Sequence, residues 1–116
     1  MDWPQSTCYL NGEWLPLAEA KISVLDRGFI FGDGIYEVVP VYYRKPFRFD
    51  NHLARFERSA REIGLANPLD RAGWHALVER LIATCGPAAR SIRWHVTRGV
   101  ARRDFAFRAG APPTVF

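Results

Sequence analysis

His52 and Arg55 stand three residues apart in a segment that is predicted to open a helix. That spacing places both side chains on one face. The first turn of a helix has free backbone N–H groups, and an arginine one turn further on adds a forked cationic donor, so the combination attracts phosphate. A solvated helix face produces the same pattern of charges, and the pair alone leaves both interpretations open.

Arginines also follow the last long predicted strand. Arg98 precedes Gly99, and the pair Arg102 and Arg103 comes shortly afterwards in a segment that contains Gly and Pro. A guanidinium in such a loop can bind a substrate carboxylate at two points. The alternative is an exposed basic loop without a ligand.

Other chemistry-bearing patterns are incomplete. Gly32-Asp33-Gly34 is no dinucleotide fingerprint, because Glu37 stands where the third glycine belongs and a strand rather than a helix is predicted to follow. The three histidines fall on separate predicted elements. Cys8 and Cys85 are too far apart in the sequence to suggest a metal knuckle, so we expect no metal site.

The composition is typical of one globular domain. The chain has 116 residues, a formal net charge of +4 and 48% hydrophobic residues, which is too apolar for a disordered chain. No run approaches the roughly 20 uncharged apolar residues of a membrane-spanning helix. The N-terminus lacks the basic and then apolar pattern of a secretory signal. We therefore predict a cytoplasmic protein without membrane contact.

Hydrophobic spacing predicts strands first, then two helices, then strand again. Asn11-Gly12 is a strong hairpin signal between two short strands. Apolar residues at helical spacing predict one helix that is capped by Asp50 or Asn51 and ends at Gly64. They predict a second helix that is capped by Asp70 and ends at Gly86-Pro87.

Further strands are predicted at 20–25, 35–43, 47–49 and 92–97, with loops at 26–34 and 99–113. This order favours an α+β fold, a two-layer sandwich in which two main helices pack on one face of a mostly antiparallel sheet. Thr114-Val115-Phe116 resembles the start of a buried strand, so we expect the chain to be a fragment of a longer protein.

Four runs together resemble the class IV (fold type IV) aminotransferases, and the details are most similar to those that act on D-amino acids. The runs are YLNGEW at 9–14, DRGFIFGDGIYEVV at 26–39, HLARF at 52–56 and VTRG at 96–99. They follow the family's order and spacing and cover essentially the whole chain. The resemblance implies the N-terminal domain fold of these enzymes and transamination, with pyridoxal 5'-phosphate, between amino acids and 2-oxo acids.

The resemblance also implies roles for four residues. Arg55 matches the arginine that binds the cofactor phosphate, and Tyr36 matches a tyrosine that faces the substrate carboxylate. Arg103 matches the arginine that traps this carboxylate from the neighbouring subunit, which implies a homodimer. Phe105 stands where the D-amino-acid enzymes typically have a histidine, and it offers no hydrogen bond.

The family's Schiff-base lysine and the acidic group at the pyridine nitrogen lie downstream of the matched region. Lys21 alternates with apolar residues and should face away from the core, and Lys45 stands at a turn beside Pro46. Neither is expected to have the desolvated amine that the reaction requires. We expect residues 1–116 to be the smaller N-terminal domain, with no catalytic residue of its own and inactive alone.

Several functions remain open at this stage. Within the same fold, a branched-chain aminotransferase, an (R)-amine aminotransferase or an aminodeoxychorismate lyase would match. From another class, a small basic module that binds RNA or single-stranded DNA would explain the arginines and the 14% aromatic residues. A nucleic-acid footprint should cluster on one face, whereas these arginines are spread over every predicted element, so we predict no nucleic-acid partner.

Overall fold

A computed structural model of the protein describes residues 6–104 and 110–116. The chain opens with an antiparallel hairpin of β1 (Thr7–Leu10) and β2 (Glu13–Pro16). Its turn residues Asn11 and Gly12 have φ of 50° and 92°. These positive values suit the twist of a two-residue hairpin, and the predicted hairpin is confirmed.

A second sheet has four strands, and all its neighbouring strands are antiparallel. Its long central pair joins Gly34 to Thr97 at one end and Pro40 to Ser91 at the other. In spatial order the strands are β4 (Lys45–Pro46), β3 (Gly34–Tyr42), β5 (Ser91–Thr97) and β6 (Thr114–Val115).

Two helices, α2 (Phe49–Glu62) and α3 (Arg71–Cys85), pack on one face of this sheet. The side chain of Asp70 caps α3 by accepting a hydrogen bond from the Gly73 N–H, as predicted. Each helix buries one stripe of side chains: Leu53, Phe56 and Ala60 on α2, and Trp74, Val78 and Ile82 on α3.

Aromatic rings join the two layers. Trp74 of α3 stacks on Trp94 of β5, with ring centroids 5.4 Å apart and planes inclined by 25°. Phe56 of α2 meets both rings edge-on, at 5.3 and 5.9 Å. Side chains from three elements therefore form one core, and the predicted α+β two-layer fold is confirmed.

The strand that was predicted at 20–25 is absent. The described chain shows no sheet ladder there, and Ile22 and Val24 are 49% and 71% exposed. One isolated bridge joins Asp26 to Val100. Alternation of apolar and polar residues identifies two faces, but it does not supply the neighbouring strand that a sheet needs.

Two further boundaries differ from the sequence prediction. The loop predicted at 26–34 contains a short helix, α1 (Arg27–Phe31), which the Asp26 side chain caps. The strand predicted at 47–49 is replaced by the start of α2, because Arg48 adopts a left-handed conformation (φ 55°) and turns the chain into the helix. Asp50 therefore lies in the first turn rather than at the cap.

The core makes a specific prediction about stability. Phe56 is 1% exposed, so Phe56→Ala should lower the free energy of unfolding by about 3 to 5 kcal/mol. Phe29 is 66% exposed, and Phe29→Ala should change it by less than about 0.5 kcal/mol. Urea unfolding of the two variants measures both effects. Equal losses would contradict the placement of these rings.

Candidate functional site

A buried carboxylate on β3 binds two basic side chains of α2. Glu37 is 4% exposed. Arg55 donates from Nε to one carboxylate oxygen at 2.9 Å and from a terminal nitrogen to the other at 2.7 Å. The ring Nδ1 of His52 lies 2.8 Å from that second oxygen. We call these three residues the Glu37 cluster.

The pairing keeps Glu37 and Arg55 ionised. Burial alone would raise the pKa of Glu37, but hydrogen bonds from Arg55 and His52 outweigh burial and hold this pKa below its usual value. The hydrogen bond to Glu37 in turn raises the pKa of Arg55. Glu37 is therefore an anion and Arg55 a cation at neutral pH.

Arg55 presents its outer edge to solvent, since its side chain is 57% exposed whereas that of Glu37 is 5% exposed. A guanidinium has five N–H donors. Glu37 accepts from Nε and one terminal nitrogen, and the described part of the chain contains no acceptor for the other terminal nitrogen. A phosphate group fits this remaining edge of the fork.

The structure places Arg55 differently from the sequence argument. Because α2 begins at Phe49, Arg55 lies in the second turn, beyond the free N–H groups of the helix start. The first turn carries the acidic side chain of Asp50. The described hydrogen bonds of the Arg55 guanidinium are to the Glu37 carboxylate.

Tyr36 lies on the opposite face of β3, because neighbouring residues of a strand point to opposite sides. It is 58% exposed and faces its cross-strand neighbour His95, with ring centroids 5.9 Å apart. The guanidinium of Arg93 lies 4.7 Å from the Tyr36 ring centroid. Burial and then the charge of Arg93 lower the pKa of His95, which is therefore neutral at pH 7.

A second, half-buried carboxylate lies just before β3. Asp33 accepts hydrogen bonds on one oxygen from Nε of Arg27 at 3.0 Å and from Nε of Arg98 at 2.8 Å. Arg98 also donates to the carbonyls of Ile63 and Gly64 at the end of α2. Burial would raise the pKa of Asp33, but the two guanidiniums hold it below the usual value. We call Arg27, Asp33 and Arg98 the Asp33 cluster.

Asp26 connects the elements around this cluster and is fully buried. One carboxylate oxygen accepts from the Gly28 N–H at 2.8 Å and the Thr97 hydroxyl at 2.7 Å, and the other accepts from the Thr114 hydroxyl. A Cβ atom at Gly28 would lie only 2.3 Å from the Thr97 methyl carbon. The start of α1 is thus held directly against β5.

Arg103, the predicted carboxylate-binding arginine, lies beside α1. Its guanidinium is 5.9 Å from the Phe31 ring centroid, and that of Arg27 is 4.8 Å from the same ring. Phe105 lies outside the described residues. Both lysines are exposed, Lys21 on an irregular segment and Lys45 on β4.

Within residues 6–104 and 110–116 no group of histidine, cysteine or acidic side chains is arranged to hold a metal ion. None of the helices that the structure describes has both the length and the apolar character to cross a membrane.

Comparison with known proteins identifies the family. The family model for amino-transferase class IV matches residues 34–116. D-alanine aminotransferase from Staphylococcus aureus is 42% identical over 99 residues, which are 85% of this chain and 35% of that protein. This chain belongs to the class IV aminotransferases. It spans about a third of the length of the curated relatives that it matches.

Solved structures agree with this class IV assignment. A 4-amino-4-deoxychorismate lyase from Pseudomonas aeruginosa is 33% identical, with a TM-score of 0.75 over 92% of this chain and 37% of its own. A branched-chain aminotransferase from the thermophilic archaeon Thermoproteus uzoniensis has a TM-score of 0.75 over 95% of this chain and 38% of its own. At 23% identity the second likeness is one of fold alone.

Sequence reasoning missed the two carboxylates that organise this class IV domain. The sequence analysis gives Glu37 and Asp33 no role of their own: both lie in the family-like run at 26–39, and Glu37 also breaks a glycine pattern. A signal for Glu37 was present, because it alternates with Val39 and Val41 on the buried face of β3. A carboxylate at a buried strand position requires a cationic or hydrogen-bonding partner.

The Asp33 cluster makes a testable prediction for the class IV chain. Asp33→Asn removes the anion that two buried guanidiniums share, so it should lower the free energy of unfolding by about 3 kcal/mol. Asp50→Asn is the control, because the Asp50–Arg71 pair is exposed on both sides and contributes little. Denaturant unfolding separates the two variants, and equal stabilities would refute the assignment.

The lowered pKa values of Asp33 and Glu37 predict loss of stability in acid. A depressed folded-state pKa contributes stability that is complete above the unfolded pKa and is lost as the pH falls through the folded pKa. The free energy of unfolding should therefore be flat near neutral pH and decline below about pH 4.

A pH series of urea unfolding checks this expectation. The double variant with Asp33→Asn and Glu37→Gln should start from a lower stability and decline less steeply than the parent chain. Parallel profiles would show that other groups cause the acid sensitivity.

Proposed function

We propose that the chain is the smaller N-terminal domain of a pyridoxal-phosphate-dependent aminotransferase that moves an amino group from a D-amino acid to a 2-oxo acid. The observation that carries the proposal is the guanidinium of Arg55, fixed on its inner edge by Glu37 and exposed on its outer edge. The 42% identity to a D-alanine aminotransferase supports the same substrate class.

Arg55 would hold the phosphate group of the cofactor. The exposed edge of the guanidinium fits that group because it offers N–H donors and a positive charge to a phosphate oxygen. When bound, pyridoxal phosphate supplies an electron sink for the bonds at the substrate α-carbon. The amine and the acid that this chemistry needs would come from the remaining part of a longer protein.

The chain alone would not transaminate. Lys21 and Lys45 are exposed. The reaction needs an amine that burial has desolvated.

Tyr36 would form part of the substrate pocket, on the face of the sheet where it meets His95 and Arg93. Its phenol can donate a hydrogen bond to the substrate carboxylate. Arg103 would bind the same carboxylate in the site of the neighbouring subunit of a homodimer. Phe105, where the D-amino-acid enzymes typically have a histidine, would offer that carboxylate no hydrogen bond.

A lyase of the same family is the second candidate. The structure of a 4-amino-4-deoxychorismate lyase from Pseudomonas aeruginosa is 33% identical over 92% of this chain. A branched-chain aminotransferase shares the fold. Binding of nucleic acid has less support, since Arg27, Arg55 and Arg98 are engaged with carboxylates of this chain.

Activity of the intact protein that contains this chain tests the proposal. With D-alanine and 2-oxoglutarate it should release pyruvate, and with L-alanine it should release much less. Conversion of 4-amino-4-deoxychorismate without amino-group transfer would instead support the lyase. If neither reaction occurs, the proposed function is wrong.

Arg103→Ala tests the carboxylate role. Loss of a charge-assisted pair should lower kcat/KM for amino-acid donors by about 10- to 100-fold and leave donors that are simple amines unaffected. Arg102→Ala is the matched control, an exposed arginine one residue away. Equal losses in the two variants, or equal losses for both donor types, would overturn the role of Arg103.

A further inference from the structure

The proposed function assigns Glu37 no contact with cofactor or substrate, although burial of its charge is costly. Its side chain is 5% exposed, and the described partners of its two oxygens are Arg55 and His52. A buried anion persists only where hydrogen bonds and an opposite charge compensate for lost hydration. The arrangement that compensates Glu37 also determines where the Arg55 guanidinium lies.

We propose that Glu37 is the positioning residue of the phosphate-binding arginine: its carboxylate holds the inner edge of Arg55, so that the outer terminal nitrogen is fixed for a phosphate group. The inference rests on the proposed function, because it requires that Arg55 binds the cofactor phosphate. It adds a residue that does not touch the cofactor and acts through Arg55.

The geometry of the fork allows both partners to bind at once. Glu37 accepts from Nε and one terminal nitrogen of Arg55. The other terminal nitrogen lies on the far edge of the planar guanidinium, so a phosphate oxygen there does not compete for the same donors. His52 supports the carboxylate from another side, with its Nδ1 2.8 Å from the oxygen that also accepts from the Arg55 terminal nitrogen.

Two effects of Glu37 on phosphate binding have opposite signs. Its negative charge offsets the positive charge of Arg55 and weakens the attraction for an anion. Its hydrogen bonds restrict the long side chain of Arg55, which is 57% exposed. Arg55 therefore loses less conformational entropy when phosphate binds. If charge dominates, removal of Glu37 strengthens cofactor binding, and if positioning dominates, removal weakens it.

A second ion pair, which also involves α2, provides the matched control. Arg71 donates from Nε and a terminal nitrogen to the two oxygens of Asp50, at 2.6 and 3.2 Å. This pair has the same two-point geometry, but its side chains are 59% and 68% exposed. Asp50→Asn thus removes a comparable contact, at a first-turn residue of α2, without removing a buried anchor.

The test measures the affinity of the intact protein for two probes, pyridoxal phosphate and pyridoxal, by equilibrium titration of their absorbance. Glu37→Gln should weaken binding of pyridoxal phosphate by about tenfold, within the range seen when supporting residues are lost. It should change binding of pyridoxal less than twofold. Asp50→Asn should leave both affinities unchanged.

A double-mutant cycle shows whether Glu37 acts through Arg55. Arg55→Lys should weaken binding of pyridoxal phosphate by itself, since an ammonium lacks the fork. In that background Glu37→Gln should have an effect of less than twofold. A full tenfold effect in the lysine background would mean a role independent of Arg55 and would overturn the inference.

The remaining outcomes are also decisive. Tighter binding by Glu37→Gln would show that charge dominates, and an unchanged affinity would show that Arg55 needs no anchor; both overturn the inference while leaving the proposed function intact. If the parent protein binds no pyridoxal phosphate at all, the proposed function fails, and the inference fails with it.

Two further measurements apply if Glu37→Gln does not fold. Glu37→Asp keeps the charge but withdraws the carboxylate by one methylene, and it should weaken binding of pyridoxal phosphate selectively. In the parent protein, hydrogen exchange of the Arg55 Nε–H should be slower than that of the Arg71 Nε–H. Equal exchange would contradict the anchoring of Arg55 without requiring any variant.

Discussion

The carboxylate of Asp26 joins three parts of the chain that are far apart in sequence. Its hydrogen bonds reach the start of α1, the end of β5 and the first residue of β6. A buried carboxyl group with donors on both oxygens tolerates little displacement, because any lost bond leaves a buried oxygen without a hydrogen-bond donor. The α1 segment is thereby held against the sheet, and β3 begins from a fixed point.

The site follows from this constraint and from the alternation of β3. Successive residues of a strand face opposite sides, so Tyr36 lies on the open face while Glu37 lies beneath α2. One strand therefore presents a phenol toward the proposed substrate and a carboxylate toward the proposed phosphate anchor. A shift of the β3–β5 register by one residue would exchange the two faces and destroy both arrangements.

Local patterns predicted the elements that depend on local physics. Asn11-Gly12 adopts the positive φ values that the hairpin requires, and Leu53, Phe56 and Trp74 form the buried stripes that their spacing indicates. The prediction failed at Ile22 and Val24, where alternation existed without a neighbouring strand. It also failed at Phe49, since no residue type indicates that Arg48 adopts the left-handed conformation that starts α2.

The site was predictable only in part, for a related reason. Family motifs indicated Arg55 and Tyr36, but the partners of Asp33 and Glu37 depend on contacts between residues distant in sequence. Arg98 lies 65 residues from Asp33, and Arg55 lies 18 residues from Glu37. The spacing of residues along the chain does not predict which distant side chains will pair. A charged residue at a buried strand position predicts only that a cationic or hydrogen-bonding partner exists.

The depth of the Asp33 cluster has a consequence for the conditions under which this domain keeps its shape. The side chains of Arg27 and Arg98 are only 7% and 6% exposed and that of Asp33 is 16% exposed, so dissolved ions have little access to these two ion pairs. Mobile ions screen exposed charges over about 8 Å at physiological ionic strength, but they screen buried pairs much less. Concentrated salt should therefore weaken the exposed Asp50–Arg71 ion pair. The ion pairs of Asp33, which hold the turn that leads into β3, should persist under the same conditions.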